Sequence, residues 1–483
     1  MTGKFILPLF VAASLTVKTY GQGSAPSEWT LQSAVAYARA HNLDVRQKEV
    51  VNRGSHYFYQ QSRLAQLPNV SFNSSYGRSF GTNIDPTTNS YTKNTYDYLT
   101  FTGTASVLVF GWMQQRNTII KNKLAMQASE ADLQQARDEV SWAVATSFLR
   151  VLISWEQMKV NEKQVGTTQS QIGNTSKFVK AGALPDLSLA QLQAQLAGDS
   201  AQFIKSQSEL NAAVVDMKAL LGLPQSAPFN VSPPDADELA ATSTNLLDPE
   251  QIYTVAEQRM GSVRGIGLRA LAAQKELAAA KGALLPQLSF NAQFVTAYST
   301  SAKNYEVTGS AYVPISGTYV QGAGGTKMDV YQQVPTSYNS SIIPFGQQLS
   351  DFFRNIYFFN LSMPVFSGWN ANYNVRRARL NLEETQLAQD EVRQKLRQEV
   401  YKAYNDARNS IQTYTAARRA TEAQQRALKY AQARMFVGMT NMTDYISILN
   451  AQYIAESKQL SAKYDMFYKI KLVDFYMGRD LKL

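Results

Sequence analysis

Cysteine is absent from the 483 residues, and histidine occurs only at His41 and His56. Without thiols there are no disulfides, no thiol nucleophile, no Cys-ligated zinc and no lipidated N-terminal Cys, and two imidazoles leave little for metal or general-base chemistry. No paired carboxylates, no nucleophile with a base and no phosphate loop stand out, so the expectation is no enzyme, no cofactor and no metal. No apolar run long enough for a transmembrane helix follows the N-terminus. If the chain enters a membrane, strands must carry it there. The formal charge of +10 is not gathered into a basic run with interleaved aromatics. It reads as solvated helix faces, with no nucleic-acid partner.

What is present begins with MTGKFILPLFVAASLTVKTYGQ, in which Lys4, an apolar run from Phe5 to Val17 and small residues near Gly21 suit a signal peptide over residues 1–21. The stretch LPNVSFNSSYGRSF alternates Val70, Phe72, Tyr76 and Phe80 with Asn69, Ser71, Asn73, Ser75 and Ser79, the period of a strand with one apolar and one small polar face. It follows a helical run, and the pattern recurs at LPQLSFNAQF, with Pro68 matching Pro286 at an offset of 218. VFGW, ending at Trp112, resembles VFSGW, ending at Trp369; Phe110 with Phe366, and Gly182 with Gly438, give an offset of 256. The halves are repeats, with 38 extra residues in the second.

Residues 371–437 contain neither Gly nor Pro. Val392, Leu396, Val400, Ala403, Ala407, Ile411 and Tyr414 recur there at three-and-four spacing, which predicts one helix of roughly 100 Å. The first half repeats it from Trp112, with Gly166 and Gly173 expected to loosen it. Each long helix ends at a turn, KAGALPDLS or FVGMTNMTDYIS, from which a second helix runs to Gly222 or Gly478. Shorter helices starting near Thr30 and Asp248 precede the two LPxhSF strands.

The first repeat is placed at 22–225, with strands at about 69–80 and 95–110 and a turn near 182–188. A linker covers 226–247, and the second repeat, 248–478, has strands at about 287–299 and 352–366, a loop at about 300–350 and a turn near 438–444, before a tail at 479–483. Long half-apolar strands with Trp112 and Trp369 at their exits suit a barrel in lipid around a wet lumen, although ordinary packing explains either Trp alone. Four strands per chain are too few to close a barrel, so copies must join, as a dimer of eight or a trimer of twelve strands.

This ordered, doubled set of motifs, together with the FVGMTNMTDYISILNAQ turn, resembles the TolC-type outer-membrane efflux family from Trp29 to Gly478. The resemblance implies a mixed α/β membrane protein in which four strands per chain enter a homotrimeric twelve-stranded β-barrel in outer-membrane lipid, above a long α-helical periplasmic tunnel. It implies a passive exit duct for an inner-membrane transporter and a periplasmic adaptor, in efflux or type I secretion; a free porin or a periplasm-spanning scaffold is the alternative. Pro68 and Pro286 would mark membrane entry, and the turns at Gly182 and Gly438 the adaptor-docking end. The family's pore-facing Asp six residues after the second Gly falls on Asp444, with Ser447 where some relatives carry a second acid. Positions that form an ionic latch in some relatives are Thr440 and Ser188, so no such latch carries over. Asp444 suits a constriction ring or a helix N-cap, and Asp186, after Pro185, suits an N-cap. His41 reads as a surface helix residue.

Overall fold

The computed structural model describes residues 28–84, 89–93, 95–232, 247–436 and 439–479. The segment 1–21, much of the linker, Gly438 and nearly all of the tail at 479–483 lie outside the described residues. In the first half β1 (Glu28–Trp29) precedes α1 (Leu31–His41), α2 (Leu43–Leu64), β2 (Asn69–Ser79), a small ribbon of β3 (Asn83–Ile84) and β4 (Tyr91–Thr92), β5 (Tyr96–Phe110), α3 (Gln114–Lys180) and α4 (Asp186–Leu221). The second half runs through β6 (Asn230–Val231), α5 (Pro249–Arg259), α6 (Gly261–Gly282), β7 (Gln287–Ser299), β8 (Lys303–Gln321), β9 (Lys327–Ile342), α7 (Phe345–Asp351), β10 (Arg354–Ser362), α8 (Asn370–Phe436) and α9 (Met442–Tyr476).

The chain divides into two compact units. One comprises the described residues up to Gln47, Ala136–Ala256 and those from Leu396 onward, and is helical apart from the short parallel ladder of β1 with β6. Trp29, wholly buried, anchors that ladder by stacking on Phe229 at 5.6 Å and meeting Tyr37 edge-on at 5.4 Å. The other, Lys48–Gln135 with Glu257–Lys395, holds every remaining strand.

The second unit is organised by a four-stranded antiparallel sheet in the order β10-β7-β5-β2. Its register sorts side chains by chemistry. Val70↔Ala105↔Ala292↔Tyr357, Phe72↔Gly103↔Phe294 and Val107↔Phe290↔Phe359 run across one face. Ser71↔Thr104↔Gln293 and Ser75↔Thr100↔Ala297 run across the other, where Ser71 and Thr104 share a hydroxyl hydrogen bond of 2.6 Å. Val70, Phe72 and Tyr76 are 70% exposed or more, so this face is built for an apolar surrounding. Gly77 sits opposite Tyr98, whose ring lies over the backbone so closely that a Cβ there would come within 2.6 Å of it. No described helix is long and apolar enough to cross a membrane.

Several expectations need correction. Gly166 and Gly173 do not loosen α3, which is continuous over 67 residues, the length of α8. Each Gly costs an exposed helix about 1 kcal/mol, a small cost within a helix that packs along this stretch, where Asn161, Thr168 and Thr175 are buried and Thr168 Oγ1 donates to Asp199 at 2.6 Å. The helix before each LPxhSF strand is two helices. Asn42 breaks the first, with extended ψ and its amide donating to Leu220 O at 3.1 Å; Met260, also extended, breaks the second. The strand expected at 352–366 spans only Arg354–Ser362, because Pro364 has no N–H for a ladder. The region 300–350 is ordered as the β8–β9 hairpin and α7.

The strand exits share one device. Trp112 and Met113, with φ of 47° and 63°, turn the chain from β5 into α3, and Gly368 and Trp369, with φ of 58° and 67°, turn it into α8. At the offset of 256, Trp112 therefore matches Gly368 and Met113 matches Trp369. The turn is repeated while its tryptophan shifts by one position. Phe110 meets Trp112 edge-on at 5.2 Å, and the Arg376 guanidinium lies 5.0 Å from the Trp369 ring centre. Pro68 and Pro286 each stand immediately before a strand, β2 and β7.

Candidate functional site: the turns of the helical hairpins

Helices α3 and α4 form one hairpin and α8 and α9 another, all of whose turn residues lie in the helical unit. At the first turn Gly182 N–H donates to Val179 O and Ala183 N–H to Phe178 O at 2.9 and 2.8 Å. This paired closure needs a left-handed residue, and Gly182, with φ of 71°, supplies it. Pro185 then caps α4. At the second turn Met439 N–H donates to Arg434 O at 2.9 Å, with Gly438 outside the described residues.

Neither acidic candidate acts as a side-chain cap. The N-cap of α4 is Pro185 with no side-chain bond, and Asp186 is the exposed residue after it. The N-cap of α9 is Asn441, whose Oδ1 accepts from Asp444 N–H at 2.7 Å. An amide one turn earlier has taken the capping role, which leaves the Asp444 carboxylate exposed at a helix N-terminus, where the dipole favours negative charge. Ser447, also exposed, lies one turn on along the same face. No salt bridge among the described residues includes Asp186 or Asp444. Ser188 is buried and Thr440 half-buried.

The hairpins are joined by neutral polar groups, most of them outside the repeated turn motifs. Gln191 Nε2 donates to Thr443 Oγ1 at 3.1 Å, and Gln195 and Asn450 exchange two amide hydrogen bonds of 2.9 and 3.1 Å. Ser457 Oγ donates to Gln157 Oε1 at 2.6 Å. Behind this seam the buried Asp199 carboxylate accepts from Gln164 Nε2, Thr168 Oγ1 and Gln195 Nε2 at 2.6, 2.6 and 2.8 Å. The sequence held a signal: Thr443, Asn450 and Ser457 recur every seven residues, as do Gln157, Gln164 and Gln171, the spacing of one helical stripe.

Nearer the turns Met442, Tyr445 and Leu449 pack on Leu192 and Ala431. Burial raises the Tyr445 hydroxyl above the ordinary phenol range; it faces the Gln432 side chain without a hydrogen bond of good geometry. A cavity of about 160 Å³ lies between Phe178, Leu184, Gln432, Met435 and Tyr445. The hairpin ends thus combine replaceable polar bonds with spare volume, unlike a close-packed core.

The family model for the outer membrane efflux protein matches residues 34–223 and 253–468. The chain belongs to this family. It is 20% identical over 464 residues to outer membrane protein TolC of Escherichia coli strain K12, covering 96% of this chain and 84% of that one. Among solved structures it superposes on CusC with a TM-score of 0.73 at 15% identity, covering 93% of this chain and 92% of that one. The open-state MtrE channel of Neisseria gonorrhoeae gives a TM-score of 0.70 at 16% identity, with 94% and 89% covered. The fold is therefore that of the trimeric channels, in which each chain adds four strands to a β-barrel and its hairpins to a helical tunnel. The protein is an outer-membrane exit duct of efflux systems, with its tunnel in the periplasm. The family consists of channels and not enzymes.

Proposed function

We propose that this duct is passive and gated at its hairpin turns, and that a periplasmic adaptor and an inner-membrane transporter of a tripartite system engage it there. The observation that carries the reading is the division of labour at the turn of α9, where Asn441 caps the helix and leaves Asp444 exposed and unpaired. In a trimer three such carboxylates, each followed by Ser447, would ring a constriction, favouring cations and resisting anions. In place of an ionic latch through Thr440 and Ser188, the Gln191, Gln195, Thr443 and Asn450 bonds hold the two hairpins together. Opening exchanges these bonds for bonds to water, at a net cost of about 1 kcal/mol each. Gly182 and Gly438 mark the docking turns, Asp186 lies beside the first, and Pro68, Pro286, Trp112 and Trp369 bracket the lipid-facing strands.

Single-channel recording from detergent-purified trimer in a planar bilayer tests the gate. Wild type should carry a small cation-selective current that multivalent cations block, and Asp444→Ala should weaken the block. A large unselective current would identify a free porin, and no current from inserted trimer would identify a scaffold. For docking, Gly182→Val should preserve the trimer and abolish export in cells, because a β-branched residue resists φ of 71°. Unchanged export would remove this turn from the docking end.

A further inference from the structure

A four-strand contribution to a barrel needs two strands per half, yet the second half also carries β8 and β9, of 19 and 16 residues. Their root is fixed. Gln348, wholly buried, accepts from Ser299 N–H at 2.9 Å and donates to Ser299 O and Ile343 O at 3.0 and 2.8 Å. Ile343 N–H donates to Ala302 O, and Tyr298 meets Phe345 at 5.3 Å. One amide clasps the end of β7 to the end of β9, so the hairpin leaves the sheet as fixed structure.

The register gives this hairpin two unlike faces. Near the root Lys303↔Ile342, Tyr305↔Ser340 and Val307↔Tyr338 share one face, while Asn304↔Ser341 and Glu306↔Asn339 share the other. Tyr305 and Tyr338 meet edge-on at 6.5 Å. Beyond two bulges, Tyr312↔Gln333 and Pro314↔Tyr331 again put tyrosines on one face. These four tyrosines are each more than half exposed. A two-stranded hairpin is marginal in water by itself, and contiguous exposed aromatics mark a contact surface. Tyr with Ser, Gly and Asn is also the composition of adaptable binding surfaces. The contact is made by a face, because Pro314, Pro335 and the bulges blunt the strands as edges for further pairing.

The occupant follows from where the hairpin is rooted. It interrupts the chain between β7 and β10, and β10 is an outer strand of the sheet, where one copy must meet the next to close a barrel. The surface is thus continuous with an interface the trimer already requires. Its charged residues, Lys303, Glu306, Lys327 and Asp329, sum to zero, so three copies meet without like-charge repulsion. We propose that the hairpins of neighbouring copies pack on one another through the tyrosine face, forming a collar that continues the trimer beyond the sheet. Its position outside the cell rests on the duct reading; its self-association does not.

The absence of cysteine makes the test clean. Single variants Tyr338→Cys and Asn339→Cys, on opposite faces, are exposed to a membrane-impermeant maleimide in intact cells and as purified trimer. Modification at position 338 should be at least about tenfold slower than at 339 in both, the ratio given by 1.4 kcal/mol of contact free energy. Equal rates in trimers overturn the proposal. Protection that holds in cells and vanishes in purified trimer also overturns it, in favour of a surface molecule such as a glycan. If Tyr338→Cys fails to assemble, Val307→Cys against Glu306→Cys repeats the comparison. The triple variant Tyr312→Ser, Tyr331→Ser, Tyr338→Ser should lower the temperature at which trimers dissociate in detergent, and an unchanged temperature counts against the collar. Ala323→Cys, at the exposed tip, reports position separately. If it goes unlabelled in cells while position 338 stays protected in trimers, the outward placement fails and the collar stands.

Discussion

The sheet and the helical hairpins solve opposite solvent problems. The sheet exposes Val70, Phe72, Phe359 and Leu361 and turns Ser71, Ser75, Thr100 and Thr104 to its other face. The hairpins bury Asn161, Thr168, Asp199 and Gln452 along with their aliphatic residues. In lipid every backbone group must be bonded within the barrel, so the sheet is closed for good. A seam of amides and hydroxyls can pass its hydrogen bonds to water, so the hairpins are held together and remain separable. On the proposed gate, permanence belongs to the strands and movement to the helices.

The comparison breaks most severely if a charge is placed on the outer face of the sheet. Phe359→Arg should cost about 2–4 kcal/mol per copy at mid-bilayer, and three copies should prevent insertion, measured as trimer recovered in the outer-membrane fraction. Normal recovery would mean that the faces are reversed. A smaller effect is expected in the seam. Asp199→Ala strands the donors of Gln164, Thr168 and Gln195 and should destabilise the helical unit by about 1–3 kcal/mol while leaving the barrel assembled. Protease sensitivity of the helices against heat resistance of the trimer separates the two; joint loss would deny that the regions are independent.

The smallest effect concerns acid. Hydrogen bonds from Tyr401 and then Arg397 hold the Glu250 carboxyl, at the start of α5, below its usual range. A lowered folded pKa adds stability that is fully present above the unfolded value of about 4.5 and is lost as pH falls through the folded one. Glu250→Gln should therefore narrow the difference in helical stability between neutral pH and pH below 4.5, read by circular dichroism. An unchanged pH response would make the contact electrostatically idle.

The repeat, the alternating strands and the long helices were legible because each rests on a period that one face of lipid, water or core enforces. Residue alternation in LPNVSF predicted the face that the register displays, and the Gly- and Pro-free run 371–437 matches α8 to within a residue at each end. Caps were misread because Asn441 and Asp444 are both good capping residues three apart, and only backbone geometry decides between them. The polar seam was overlooked because a half-buried Gln looks like a surface Gln until its partner 255 residues away, as for Gln195 and Asn450, is in place. The β8–β9 hairpin was read as loop because Ser, Gly and Thr signal turns, while its ladder depends on pairing between two polar strands.

The most direct measurement takes inter-copy distances by spin labelling on the Cys-free chain, at Ser447→Cys near the hairpin turn and Asn73→Cys on the polar face of the sheet. Wild-type trimer is compared with trimer carrying Gln195→Ala and Asn450→Ala. Cutting the seam should lengthen and broaden the distances at position 447 and leave those at position 73 unchanged. Unmoved turns, or a sheet that shifts with them, would contradict a fixed barrel and separable hairpins.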